Sequence, residues 1–212
     1  MPDSARFVEP NAERKRAVRP RHAASLLVVR QGRAGPQVLM GLRGAKHRFM
    51  PNRLVFPGGR VDRADYRARF ATPLRPDVLL RLEKASDARL AHALAIAAGR
   101  ELEEEAGLSL GHPPHLHGLD YLCRAVTPHN NPIRFDARFL YVEETHVSGT
   151  IGGSGELEGL RFYAIEEALA LDLALPTRCV LEYLVGYLKM SGAERRARTE
   201  NPILRNRSWF SE

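Results

Sequence analysis

The stretch GRELEEEAGL, Gly99–Leu108, sets four carboxylates within five positions and then meets a glycine. It closes a longer run, DARLAHALAIAAGRELEEEA, that reads as one helix: Asp87 is a good N-cap, and Gly107 suits the left-handed residue that ends a helix. Ala91, Ala95, Ala98 and Leu102 recur at helical spacing and form a narrow apolar stripe able to lie close against a sheet. With about 100° per residue, Glu101, Glu104 and Glu105 converge on one side, while Glu103 points away. Like charges three and four residues apart repel by a few tenths of a kcal/mol per pair, and the helix dipole disfavours anions in a last turn. Stability alone does not select this arrangement. A solvated charged face is one reading; a surface that binds a hard cation such as Mg²⁺ through carboxylate oxygens is the other.

Around this helix the chain alternates strand-like and helix-like runs. AASLLVVR (Ala23 to Arg30) and QVLMGLR (Gln37 to Arg43) are β-rich and separated by QGRAGP, so they predict a hairpin. RLVFPGGRVD reads as a strand running into a Gly-Gly turn. PDVLLRLEK predicts a helix, LDYLCRAV, RFDARFLYVE and LEGLRFYAI predict strands, and EEALALDL and TRCVLEYLVGYLKM predict helices. This interleaving lacks strict βαβ regularity and indicates an α/β fold, a mixed sheet with helices on both faces. The Gly-rich SGTIGGSGE reads as a surface linker, with a mobile flap as the alternative.

The 212 residues favour one domain with arms: a basic N-terminal arm over 1–22, the domain over 23–190 and a basic C-terminal tail over 191–212. Two distant cysteines, Cys123 and Cys179, match no metal or redox spacing and suit core packing in a reducing cytoplasm. No apolar run approaches the roughly 20 residues of a membrane span. The net charge of +7 comes almost wholly from arginine, with only four lysines, and its clusters near the ends read as solvated arms. A small polyanion is therefore the expected partner and nucleic acid is not; a homodimer is an open expectation. The histidines of HPPHLH (His112 to His117) read as loop residues, because the prolines break any helix that would align them for zinc.

RELEEEAGL resembles the second half of the Nudix hydrolase signature, R-E-U-x-E-E-x-G-U with U aliphatic, at Arg100, Glu101, Leu102, Glu104, Glu105, Gly107 and Leu108. The first half, G-x5-E, is present as Gly59 and Asp65, with aspartate for glutamate. Between Asp65 and Arg100 lie Tyr66 to Gly99, 34 residues where the signature has seven, so the box is split by an insertion of about 66–90. The resemblance implies a Nudix-type α/β/α sandwich with a helical insertion inside the box. It also implies hydrolysis of a nucleoside diphosphate linked to another moiety, with Mg²⁺ or Mn²⁺ held by Glu101, Glu104 and Glu105 and by the Gly59 carbonyl. Arg100, four residues before Glu104, is expected to orient that carboxylate. The general base implied by the resemblance is a glutamate of the box or one on a distant loop, for which Glu156 and Glu158 are the candidates.

Upstream, LMGLRGAKHRFMPNRLVFPGG is similar to the motif of coenzyme A pyrophosphohydrolases within that family, matching at Arg43, Arg48 and Phe56 to Gly59. Gly41, Gly44 and Asn52 stand where the motif has threonine, serine and glycine. The match implies coenzyme A or an acyl ester as substrate, gripped by Arg43 and Arg48 through bidentate guanidinium–phosphate contacts, with Gly58, Gly59 and His129 lining the pocket. The alternatives are an ADP-ribose or ADP-sugar pyrophosphatase and a Nudix-fold module that binds nucleotide without turnover.

Overall fold

The computed structural model describes residues 18–44 and 52–212. The N-terminal residues 1–17 and Arg48 lie outside the described residues.

Strand β1 (Arg21–Gly32) carries the apolar run that sets the layering. Leu26 and Val28 face one side of the sheet, Leu27 and Val29 the other, and all four are buried. A half-exposed strand alternates apolar with polar; a continuous run demands cover on both faces. The hairpin to β2 (Gly35–Arg43) forms in the expected place, pairing Val29 with Val38. The chain then runs through β3 (Leu54–Val55) and β4 (Gly58–Arg60). The Gly-Gly turn expected here is instead strand: Gly58 and Gly59 pair antiparallel with Ser25 and Ala24. The close packing explains it, since a Cβ at Gly58 would strike the backbone of β1.

A short 3₁₀ turn at Asp65–Arg67 and α1 (Pro76–Glu83), with proline at its first position, come next. Helix α2 (Ala88–Ala106) follows. Asp87 accepts the Leu90 N–H at 2.7 Å, and Gly107 closes the helix in the left-handed region at φ 69°. Its stripe of Ala91, Ala95, Ala98 and Leu102 is fully buried against Leu26, Val28, Leu39 and Leu140. After β5 (Leu108–Ser109) come β6 (Asp120–Val126), β7 (Phe135–Glu143), β8 (Ser148–Gly149) and β9 (Leu157–Ala164). Helices α3 (Ile165–Ala170) and α4 (Leu175–Leu188) cover the second face, where Val180, Leu181 and Leu184 meet Leu27, Val29 and Met40. Cys123 is buried in that layer and Cys179 is partly buried.

The residues set apart as a tail, 191–212, are built into the domain. They form α5 (Gly192–Ala197), which opens with a capping box at Ser191 and Glu194, and the hairpin β10 (Pro202–Arg205) and β11 (Ser208–Ser211). Strand β10 joins β6 in parallel, giving the mixed order β11-β10-β6-β7-β1-β2-β3, with β4 also on β1 and β9 also on β2. Burial of Ile203 and Leu204 offsets the cost of ordering a segment whose composition reads as solvated.

Three buried carboxylates tie the layers. Asp120 accepts from Arg81 at 2.5 Å, Tyr187 hydroxyl at 2.6 Å and Arg198 at 3.3 Å, and Arg75 lies 3.5 Å away. It thereby joins α1, β6, α4 and the segment after α5. Asp136 receives two bonds from Arg124, at 2.6 and 2.9 Å, and pairs with fully buried Arg138 at 2.8 Å. The third, Asp65, belongs to the site.

Candidate active site

The convergent carboxylates sit where α2 ends beside β4. Glu103 diverges as the wheel requires and meets His112 at 3.2 Å on the surface. Arg100 gathers the rest. Its Nε and Nη2 donate to the two oxygens of Asp65 at 3.1 and 3.2 Å, its Nη1 to Glu101 at 2.8 Å and Glu104 at 3.0 Å, and its Nη2 also to the Arg60 carbonyl at 3.0 Å. Burial opposes the charge on Arg100, but Asp65 and Glu101 outweigh it and hold the guanidinium protonated. Asp65, almost fully buried, also accepts the Asp62 N–H at 2.7 Å. Asp65 and Arg100, 35 residues apart in the chain, are thus bound to each other beside the carboxylates.

Glycines bring β4 close enough to matter. A Cβ at Gly59 would fall on the Glu101 carboxylate, so only glycine leaves room for that side chain. The Gly58 N–H donates to Glu105 at 2.8 Å. Arg43 reaches Glu105 at 3.7 Å and donates to the Gly58 carbonyl at 3.5 Å, so its guanidinium faces the carboxylates themselves. Burial pushes the Glu105 carboxyl up to about 7, and the charges of Glu101 and Glu156 act in the same sense. Glu101 is raised by burial too, with Glu104 and Glu156 adding to it against Arg100.

The stretch SGTIGGSGE is exposed along its length, as a surface linker would be. It docks on the last turn of α2, whose final carbonyls need donors: Gly152 N–H bonds Ala106 carbonyl and Ser154 N–H bonds Glu104 carbonyl, each at 2.9 Å, alongside Gly107 N–H on Glu103 carbonyl. A Cβ at Gly153 would strike the Glu105 carbonyl. This docking carries Glu156 to within electrostatic reach of Glu101 and Glu105. Nothing among the described residues ties Glu158, on β9, or His129, exposed in the loop between β6 and β7, to the cluster.

The donor chemistry fits a hard divalent cation: three glutamates and a nearby fourth are crowded together, and the two most buried have raised affinity for a positive charge. As they stand, no three His, Cys, Asp or Glu side chains among the described residues are arranged to grip a metal; Arg100 holds one oxygen each of Glu101 and Glu104, and the Gly58 N–H and Arg43 face the two oxygens of Glu105.

No family model and no curated protein matches the chain. Solved structures do. A NUDIX hydrolase from Alicyclobacillus acidocaldarius aligns with a TM-score of 0.62 at 26% identity, over 79% of this chain and 92% of that one. Its fold is that of the Nudix hydrolases. The Nudix sandwich is likewise shared with the NUDIX domain of NrtR from Shewanella oneidensis, solved with ADP ribose (TM-score 0.54, 13% identity, 81% and 90% covered). A MutT NUDIX hydrolase from Burkholderia pseudomallei is also similar (TM-score 0.51, 23% identity, 79% and 99% covered). No helix among the described residues is long and apolar enough to cross a membrane.

The sequence reading did not place Arg43 on Glu105 or Gly58 N–H on the same carboxylate. Both contacts join residues far apart in the chain, and no local spacing encodes them.

Proposed function

We propose that this Nudix-fold chain is a metal-dependent hydrolase of the pyrophosphate bond in nucleoside diphosphate derivatives, acting on coenzyme A or its acyl esters. The observation that supports the reading is the gathering of Glu101 and Glu104 on Arg100, with Glu101 against Gly59 and Glu105 on the Gly58 N–H, and with the charge of Glu156 acting on Glu101 and Glu105. Neighbours named as hydrolases, and one solved with ADP ribose, support the class of substrate.

In this reading Glu101, Glu104 and Glu105 hold Mg²⁺ or Mn²⁺, which when bound neutralises phosphoryl oxygens and lowers the pKa of coordinated water. Arg100 holds Glu101 and Glu104 in place, and Asp65 fixes Arg100, a chain of hydrogen bonds of the kind that sets ligand orientation. Gly58 and Arg43 do the same for Glu105. Glu156 is the better placed of the two candidates for accepting the proton of the attacking water, because Glu158 has no tie to the cluster.

The choice of coenzyme A rests on the upstream motif, in which Arg43 now has a carboxylate partner and Arg48 lies outside the described residues. The test is a panel with Mg²⁺ or Mn²⁺: coenzyme A, acetyl-coenzyme A, ADP-ribose, ADP-sugars, dinucleoside polyphosphates and dNTPs. The highest kcat/KM is expected on coenzyme A or its ester, releasing 3′,5′-ADP. A clear preference for ADP-ribose would refute the substrate and keep the reaction; failure on the whole panel with metal bound would favour a binding module.

A further inference from the structure

Most arginines of the described residues have assigned work. Arg30, Arg53, Arg124 and Arg161 meet carboxylates, and Arg134, Arg178 and Arg195 donate to backbone carbonyls. The segment that leaves the site is different. Arg60, Arg63, Arg67 and Arg69 are exposed, and none has a side-chain hydrogen bond or ion pair with a described residue. Arg21 joins them, because Ala23 pairs with Arg60 and the His22 carbonyl accepts the Val61 N–H. Asp62 is the one exposed carboxylate within 60–69.

These cations stand on a fixed base. Asp65 is clamped by Arg100 and by the Asp62 N–H, Tyr66 lies under Arg89 with the guanidinium 5.5 Å from the ring centre, and Phe70 stacks on His92 with ring centres 5.0 Å apart. The segment is therefore pinned along α2 at both ends while its guanidinium groups stay free. Four mutually repelling charges within ten residues do not serve the fold, which gains nothing from exposed unpaired cations. They do suit a planar, bidentate partner such as phosphate.

Their place beside the carboxylates selects which phosphate. The Arg60 carbonyl and the Asp65 carboxylate both touch Arg100, which holds Glu101 and Glu104, so the segment borders the site. The guanidinium groups that meet the glutamates are those of Arg100 and Arg43; among the described residues none of the 60–69 arginines pairs with them. A pyrophosphate seated on the glutamates is therefore flanked by Arg100 and Arg43, and the neighbouring free arginines suit another group on the same small molecule.

Resting on the proposed hydrolase reading, we infer that the arginines of the 60–69 segment bind a phosphate monoester of the substrate remote from the scissile pyrophosphate, making this loop the element that selects nucleotides carrying that extra phosphate. It offsets the repulsion that an acidic site otherwise presents to a polyanionic ligand.

The test compares the full-length protein with the triple variant Arg63→Ala, Arg67→Ala, Arg69→Ala; these exposed side chains have no partners to lose. Metal-free calorimetry with adenosine 3′,5′-bisphosphate should show about tenfold weaker binding in the variant, while adenosine 5′-monophosphate binds both proteins within twofold. With Mg²⁺, KM for coenzyme A should rise by a similar factor at constant kcat, and dephospho-coenzyme A should be unaffected. A second triple variant, Arg33→Ala, Arg196→Ala, Arg207→Ala, removes equal charge elsewhere and should change neither. Equal losses on both nucleotides, no loss on either, or no measurable binding of the bisphosphate by the unmutated protein would overturn the inference. So would a 5′-phosphorylated single-stranded oligonucleotide that outcompetes the bisphosphate and loses affinity in the first variant alone, which would assign the surface to a polynucleotide. The binding arm needs no turnover, so absence of hydrolysis on any substrate would count against the proposed reaction and not against this surface.

Discussion

Two charged clusters use the same side chains to opposite ends. At the end of α2, five carboxylates (Asp65, Glu101, Glu104, Glu105 and Glu156) gather around Arg100 and Arg43. Around Asp120 the ratio is reversed: Arg75, Arg81 and Arg198 surround it, with Asp77 alone in support, and further donors of the three go to backbone carbonyls, among them those of Leu119, Tyr121 and Leu122. Every buried side-chain polar atom among the described residues has a partner. The difference is therefore one of surplus charge. Around Asp120 the surplus guanidinium N–H is absorbed by backbone carbonyls, which makes a structural knot; in the carboxylate cluster Glu105 and Asp65 each accept one backbone N–H, and the negative charge left over favours an external cation.

Breaking the knot should cost most. Asp120→Ala leaves Arg81, itself buried, with only the longer 3.4 Å contact to Asp77, and is expected to destabilise the fold by about 3–5 kcal/mol. Thermal unfolding should fall by on the order of 10 °C for a chain of this size, while activity per folded molecule holds. A variant as stable as the parent would show that the knot is ornamental.

Breaking the site should do the reverse. Glu104→Gln is expected to lower kcat by about two orders of magnitude or more, roughly 3 kcal/mol of transition-state stabilisation, with the unfolding midpoint unchanged or slightly higher. Wild-type turnover under limiting Mg²⁺ would remove Glu104 from the set of metal ligands. Chelation with EDTA makes the same cut without mutation: activity should vanish while circular dichroism is retained, because both apolar cores form without the ion.

Acid sharpens the contrast. Burial works to raise the Asp136 carboxyl, but the Arg124 hydrogen bonds and the charge of Arg138 outweigh it and hold the group below the usual range. A folded-state pKa below the unfolded one contributes stability that is present above the unfolded value and lost as pH falls through the folded one. Urea midpoints should therefore drop below about pH 4, and Asp136→Asn should flatten that drop. Glu105 runs the other way in the metal-free protein. Its folded value of about 7 exceeds the unfolded one, so its protonated form favours folding and that contribution disappears as pH rises through 7. Glu105→Gln should consequently unfold at an equal or higher midpoint than the parent at pH 8.

The smallest effect is the control. Glu103 lies on the diverging side of α2, so Glu103→Gln should change kcat by less than about twofold and stability by under ~0.5 kcal/mol.

What could be read from the chain alone follows the range of the interactions. Helix α2, its N-cap Asp87, its terminal Gly107 and the divergence of Glu103 are all set within a few residues, and they were legible. So was the strand character of AASLLVVR, whose four consecutive nonpolar residues Leu26 to Val29 fit a sheet covered by helices on both faces. The C-terminal hairpin was not: its partner strand β6 is about 80 residues away, and NPILRNRSWFSE has too few apolar residues to announce a strand pair. Within the site, the glutamates were legible from their spacing. The contacts of Arg43, Gly58 and the glycine segment were not, since each depends on where the sheet places a distant loop.

Glycine in SGTIGGSGE records crowding rather than slackness. Two of its amides are spent on helix carbonyls at 2.9 Å, and a side chain at Gly153 would strike the helix backbone. Solvent deuterium should therefore reach the amides of Gly152 and Ser154 about as slowly as those in the last turn of α2, because one opening event must free both. Helix and segment act as a single clasp, and a residue with a Cβ at position 153 would spring it without touching a carboxylate.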